Sequence, residues 1–287
     1  KKNKYDIVHV HTPVASVYGR LLKIKFPKLK TIYTAHGFHF YKGAPKSKWF
    51  IFYNIEKIMS KFTDVLVTMN KEDYEISKKS FKTKHIYNVN GVGVNIDDYI
   101  YKEKNNIRAE LGLSEDDVIV TLIAELSKRK NQIQAIKAIQ HLSDKYKNIK
   151  LLLVGDGCLY EELNSYILSN NLEQYIMLLG HRNDIPKILD GTDIVGLFSY
   201  HEGLPRNLME AMVAGKPIIC TNIRGNNDLV EDNVNGLLVP CGDVKSTVEA
   251  IEKLYKHREL RKKMGKIGND IIRKKYSIDK VLSQMSN

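Results

Sequence analysis

At 287 residues the chain is longer than one ordinary domain and fits two, and its 43% hydrophobic and 27% charged residues exclude a disordered or fibrous polypeptide. No apolar run reaches the ~18 residues that a membrane-crossing helix needs. Three cysteines with no CxxC pair argue against a disulfide framework and predict a reducing cytoplasm. The net charge of +12 sits mostly in front: residues 1–100 hold 18 Lys and Arg against 8 Asp and Glu, a net +10, and residues 101–287 hold 27 against 25, a net +2. Such a front half predicts an anionic partner.

In chain order, short apolar runs at 6–11, 31–35, 65–69 and 84–89 alternate with amphipathic stretches. A polar, turn-prone stretch follows at 97–106, and the cadence restarts at 118–124, 150–154, 175–179, 194–198, 217–220 and 236–239. Apolar strands separated by helices predict parallel sheets covered on both faces, and two such series predict two doubly wound α/β domains. The boundaries expected are 1–100, 101–275, and a C-terminal helix at 276–287 that crosses back to the first domain. The opening, KKNKYDIVHVH, runs directly onto a strand without an initiator Met or a signal-peptide core. With about four strands against six, the first domain is expected to be incomplete, lacking two or three βα units of ~30 residues each.

The segment HEGLPRNLMEAMVAGKP, 201–217, carries the most chemistry. Gly203 and Pro205 lie at a strand-to-helix turn, where backbone amides and a helix N-terminus attract anions. Glu210, about two turns into the helix, is placed to accept hydrogen bonds from two vicinal hydroxyls. The physical reading is a phosphate at the turn and a polyol beside the helix. Upstream, Lys130 in AELSKRKNQIQAIKAI precedes a helix, and GDG in LLLVGDGCLYEEL marks a tight turn. In the first half VHVHTP and IYTAHGFHF end strands in histidines, at the sheet edge where open α/β sheets bind ligands.

EGLP, the helix NLMEAMVAGKPII and the later GNNDLVEDNVNGLLVP together resemble the E-x7-E signature of glycosyltransferase family 4, and the rest of the chain is similar to its exopolysaccharide and capsule branch. The resemblance implies a GT-B fold: two Rossmann-like doubly wound domains facing a cleft. It implies a retaining, metal-independent transfer of sugar from a nucleotide-sugar, by preference a UDP-sugar, to a surface polysaccharide or lipid-linked acceptor. The roles implied are catalytic for His36, Glu202 and Lys130, with Glu210 on the nucleotide ribose. Gly203, Leu204 and Pro205 would line the donor phosphates, and His181 and Arg182 the base. Many family members place an arginine where Glu125 stands here, which leaves Arg129 or Arg206 as the substitute cation; His39 is a further candidate near His36.

No cofactor is implied, since the nucleotide-sugar is a co-substrate. The partners expected are the donor, the acceptor and an anionic membrane surface, with no nucleic acid, at a cytoplasmic or peripheral inner-membrane location. Lys23, Lys25, Lys28 and Lys30, then Lys42, Lys46 and Lys48 beside Trp49, Phe50 and Phe52, have the composition of an interfacial contact. A non-catalytic nucleotide-sugar-binding fragment and a UDP-sugar epimerase are the competing readings.

Overall fold

A computed structural model describes residues 5–99 and 107–286. Their contacts divide them into two units: 5–93 with 202–204 and 279–286, and 94–99, 107–201 and 205–278. Each has its own parallel sheet.

The first unit contains β1 (Ile7–His11), β2 (Lys30–Ala35), β3 (Val65–Thr68) and β4 (His85–Asn88) in the order β1-β2-β3-β4. Runs such as TIYTA and VLVT are rich in β-branched residues, which favour the pleated strand. Expected burial on both faces holds only for the central pair: β2 and β3 are largely buried, while β1 and β4 are largely exposed or half-buried. They are the edges of this sheet, with a neighbour on one side only. Stepping one way across the sheet, right-handed crossovers put their helices on one face. Under them Tyr33, Ala35, Phe38, Phe40 and Leu66 form a core flanked by Trp49, Phe52, Tyr53 and Phe81. Arg20 of the helix Pro13–Lys25 meets Glu56 of the helix Asn54–Met59 at 2.7 Å, both buried, with the guanidinium 4.3 Å above the Tyr33 ring.

The second unit contains β5 (Val118–Ile123), β6 (Ile149–Val154), β7 (Ile176–Gly180), β8 (Ile194–Leu197), β9 (Ile218–Thr221) and β10 (Gly236–Val239), ordered β10-β9-β8-β5-β6-β7. Here both faces are covered, as the two-residue period of a strand requires. Val118, Val120, Leu122, Leu151 and Leu153 belong to one core with Ile136, Ile139, Ile251 and Leu254. The alternate residues Ile119, Leu152 and Val154 pack in another with Ile107, Leu113 and Ile188. From β5 the chain builds outward through β6 and β7, then returns to β5's other side with β8. The strand order therefore reverses between β5 and β8, the position at which open α/β sheets bind ligands. Among the described residues no helix is long and apolar enough to cross a membrane.

Candidate active site

The reversal point of the second unit collects Arg129, Lys130, Pro205, Arg206 and Glu210, while Glu202, Gly203 and Leu204 group with the first unit. The loop after β5 is held by its own polar groups. Gln132 donates to the Glu125 carbonyl at 2.7 Å, the Lys130 amide donates to the Ser127 carbonyl at 2.9 Å, and Asn131 donates to Gln134 at 2.7 Å. Asn131 adopts φ 53°, a left-handed conformation that asparagine tolerates well, and it ends the loop where the helix Gln132–Ser143 begins. The Tyr200 amide donates to the Arg129 carbonyl at 2.9 Å, joining this loop to the chain leaving β8. Lys130 and Arg129 are half-buried there. Glu125, where an arginine was expected on family grounds, draws the Arg129 guanidinium to 4.0 Å.

The GDG turn has a structural explanation. A Cβ on Gly155 would lie 2.2 Å from the Ala124 carbonyl oxygen, and one on Gly157 2.3 Å from that of Leu126. The Leu126 amide donates to Asp156 at 2.8 Å. Both glycines therefore let the turn lie against the Lys130 loop and support it from behind.

The helix Arg206–Val213 starts beside the same strand end, because the Asn207 side chain donates to the Ile123 carbonyl at 2.8 Å. Leu208, Met209, Ala211, Met212 and Val213 are buried, and Glu210 is half-buried. Its carboxylate accepts from Arg206 Nε at 3.0 Å and lies beside the Tyr99 hydroxyl. Burial first, and this carboxylate second, push the Tyr99 phenol well above its ordinary pKa. Tyr99 lies in the polar stretch read only as a linker, and neither charge nor periodicity marks it. Glu202 is 9% exposed, Gly203 and Leu204 are half-buried, and Pro205 is buried just ahead of the helix.

His181 and Arg182 follow Gly180, whose carbonyl accepts from the Gly155 amide of the GDG turn at 2.8 Å. They follow β7, an edge strand separated from β5 by β6. Arg182 bonds Asp184 at 2.6 Å and Glu110 at 2.9 Å, and these partners raise its pKa further, so its side chain serves as a brace. His181 Nε2 lies 3.1 Å from Asn183. In the first unit, His36 directly follows β2 and is exposed, with its Nε2 3.0 Å from Nδ1 of His11 at the end of β1. His39 is half-buried and meets Phe52 edge-on at 4.7 Å.

Residues 103–270 match the family model described as glycosyl transferases group 1, and residues 1–70 the model described as glycosyl transferase 4-like. The chain is 36% identical over 274 residues to the putative glycosyltransferase EpsD of Bacillus subtilis, covering 92% of this chain and 71% of the relative. It is 31% identical over 260 residues to the UDP-Gal:alpha-D-GlcNAc-diphosphoundecaprenol alpha-1,3-galactosyltransferase of Escherichia coli, covering 88% and 67%. Among solved structures, Anabaena Alr3699/HepE in complex with UDP superposes with a TM-score of 0.85 at 21% identity, over 98% of this chain and 78% of that one. WaaG, a glycosyltransferase involved in lipopolysaccharide biosynthesis, gives 0.73 at 16%, over 94% and 79%. At these identities the structural likeness speaks for the fold, two Rossmann-like units of the GT-B kind.

Proposed function

This chain is a member of the group 1 glycosyl transferases, and from that premise we propose that it transfers a hexose, with retention, from a UDP-sugar to a lipid-linked or polysaccharide acceptor. One observation carries the reading. The Lys130 loop and the first turn of the helix bearing Glu210 meet at the end of β5, where the strand order reverses. That combination of cation, helix N-terminus and carboxylate suits a nucleoside diphosphate. In the proposed assignment Glu210 takes the two ribose hydroxyls, exchanging Arg206 and Tyr99 for them. Lys130 and the helix N-terminus bear the diphosphate charge without a bound metal. The bond from the sugar's anomeric carbon to the phosphate oxygen breaks, and the acceptor oxygen bonds to that carbon on the same face. The acceptor proton passes to the departing phosphate. Glu202 and His36 stand by the oxocarbenium-like sugar.

Calorimetric titration with UDP tests the site: Glu210→Ala is expected to abolish measurable binding while circular dichroism stays unchanged. Equal affinity in the variant would remove the ribose role. Retention is read from the anomeric configuration of the product. Turnover should persist in EDTA; activity that EDTA abolishes and Mg²⁺ or Mn²⁺ restores would contradict the metal-free assignment.

An anionic membrane surface is part of the proposal. The helix Pro13–Lys25 exposes Val14, Tyr18, Leu21 and Leu22, and the helical stretch from 46 to 62 exposes Phe50, Ile51, Ile55 and Ile58. Lys25, Lys28, Lys46, Lys57 and Lys61 are exposed on the same two segments or next to them. Apolar and cationic side chains in this mixture support contact with a lipid surface. The set differs from the one read in the sequence: Trp49 and Phe52 pack on the core, and Lys23 pairs with Asp64.

A further inference from the structure

We propose that His11 is a positioning residue, holding the His36 ring in one orientation so that it meets the donor sugar as a neutral imidazole. The assignment rests on the transferase reading and deepens it at one residue. Parallel pairing sets His11 of β1 opposite Thr34 of β2, and His36 lies two residues beyond Thr34. His9 and His11 are two apart on a strand and so share a face. Three imidazoles stand in a row, with ring centres 4.4 Å apart for His9 and His11 and 5.3 Å apart for His11 and His36. Each ring braces the next. His9 Nε2 is 2.8 Å from the hydroxyl of buried Thr34, and His11 Nδ1 is 3.0 Å from His36 Nε2.

This arrangement commits the Nε2 of His36 to His11 and leaves its Nδ1 for a ligand. One proton lies between the two rings, whichever donates. The next proton makes one imidazolium that donates to its neutral neighbour, and only a further one would set two cations within hydrogen-bond distance. Partial burial first, and His11 second, hold His36 below its ordinary pKa; burial, His11 and His36 do the same for His9. Of the carboxylates on the packed elements, Asp73 of the helix Lys71–Ser80 accepts from the Phe38 amide at 3.0 Å and from Asn70 at 2.9 Å, and Glu202 precedes Gly203, whose backbone lies against the His36 carbonyl. The Arg20–Glu56 pair is buried beside Tyr33. Neutrality matters because a sugar leaving its diphosphate gains positive charge, which an imidazolium would repel.

The test follows the ring signals of the ¹³C-labelled full chain by NMR through about pH 5 to 8, the range in which histidine titrates. His11→Phe should raise the His36 midpoint, since it removes the neighbouring imidazole that helps to hold it down. It should shift the acid limb of the kcat/KM profile by the same amount and lower kcat about 10- to 100-fold, with donor KM little changed. His11→Asn, whose amide can keep a hydrogen bond but takes no proton, should recover most of kcat and keep the raised limb. A His36 midpoint unmoved in His11→Phe overturns the proposal, as does a moved midpoint with wild-type turnover and pH profile. The titration needs no donor. A wild-type chain that transfers no sugar would therefore defeat the transferase reading, and the catalytic part of this one, while the ring coupling stood or fell by NMR.

Discussion

Lys130 faces its hardest task when the diphosphate departs, so its removal should appear in turnover before it appears in binding. A charge-assisted bond contributes ~1.5–3 kcal/mol, and Lys130→Ala is therefore expected to lower kcat about 10- to 150-fold with a smaller change in donor KM. Steady-state kinetics checks this; a raised KM at unaltered kcat would reassign the lysine to ground-state binding. Glu202, Glu210 and Lys130 could be nominated from the sequence because each stands in a contiguous word, a turn followed by a helix. Tyr99 and Asn207 could not. Each acts on a partner far along the chain, Tyr99 on Glu210 and Asn207 on the Ile123 carbonyl, and a pairing of that separation leaves no local pattern.

Elements were easier to read than their surroundings. Strands were expected within a residue of where β1 to β10 lie, because each is a short β-branched or leucine-rich run closed by polar residues. The edge character of β1 and β4 was not readable, since it depends on which strands lie beside them. The π-helical turn Trp49–Tyr53 keeps Trp49, Phe52 and Tyr53 inward at i, i+3 and i+4 and leaves Phe50 and Ile51 out, a sorting that a bare count of aromatics beside lysines does not give. Two predictions belong at this scale. Glu56→Ala leaves the buried Arg20 guanidinium without its carboxylate and should destabilise the first unit by about 3–5 kcal/mol in urea titrations. Gly157→Ala places a methyl group against the Leu126 carbonyl and should push the Lys130 loop out of place at a cost of about 1–3 kcal/mol. UDP affinity should fall with it; wild-type affinity in that variant would show that the GDG turn does not support the loop.

Over the whole molecule, each unit has buried clusters of its own, and the single tryptophan, Trp49, packs in the first. Its fluorescence therefore reports one unit while calorimetry reports both. UDP at 100 times its dissociation constant should stabilise the second unit by about 2.7 kcal/mol. The heat-absorption peak of the second unit should rise in temperature and the Trp49 transition should stay where it was. A Trp49 transition that moves with UDP would mean that the nucleotide is held by the first unit as well. The lopsided charge, +10 in residues 1–100, should also make co-sedimentation with anionic vesicles fall as salt rises, with no binding to neutral vesicles. The two strand orders also set a timetable for synthesis. In the sequence β1-β2-β3-β4 every strand finds its partner as soon as the next one emerges, so the sheet of the first unit can form progressively behind the ribosome. In the second, β5 keeps an open edge until β8 has been made, and the reversal that shapes the donor site is also the contact of greatest sequence separation in that sheet. The nascent second unit is thus exposed longest along the strand that carries its chemistry, and slow translation between β5 and β8 is the interval in which misfolding costs it most.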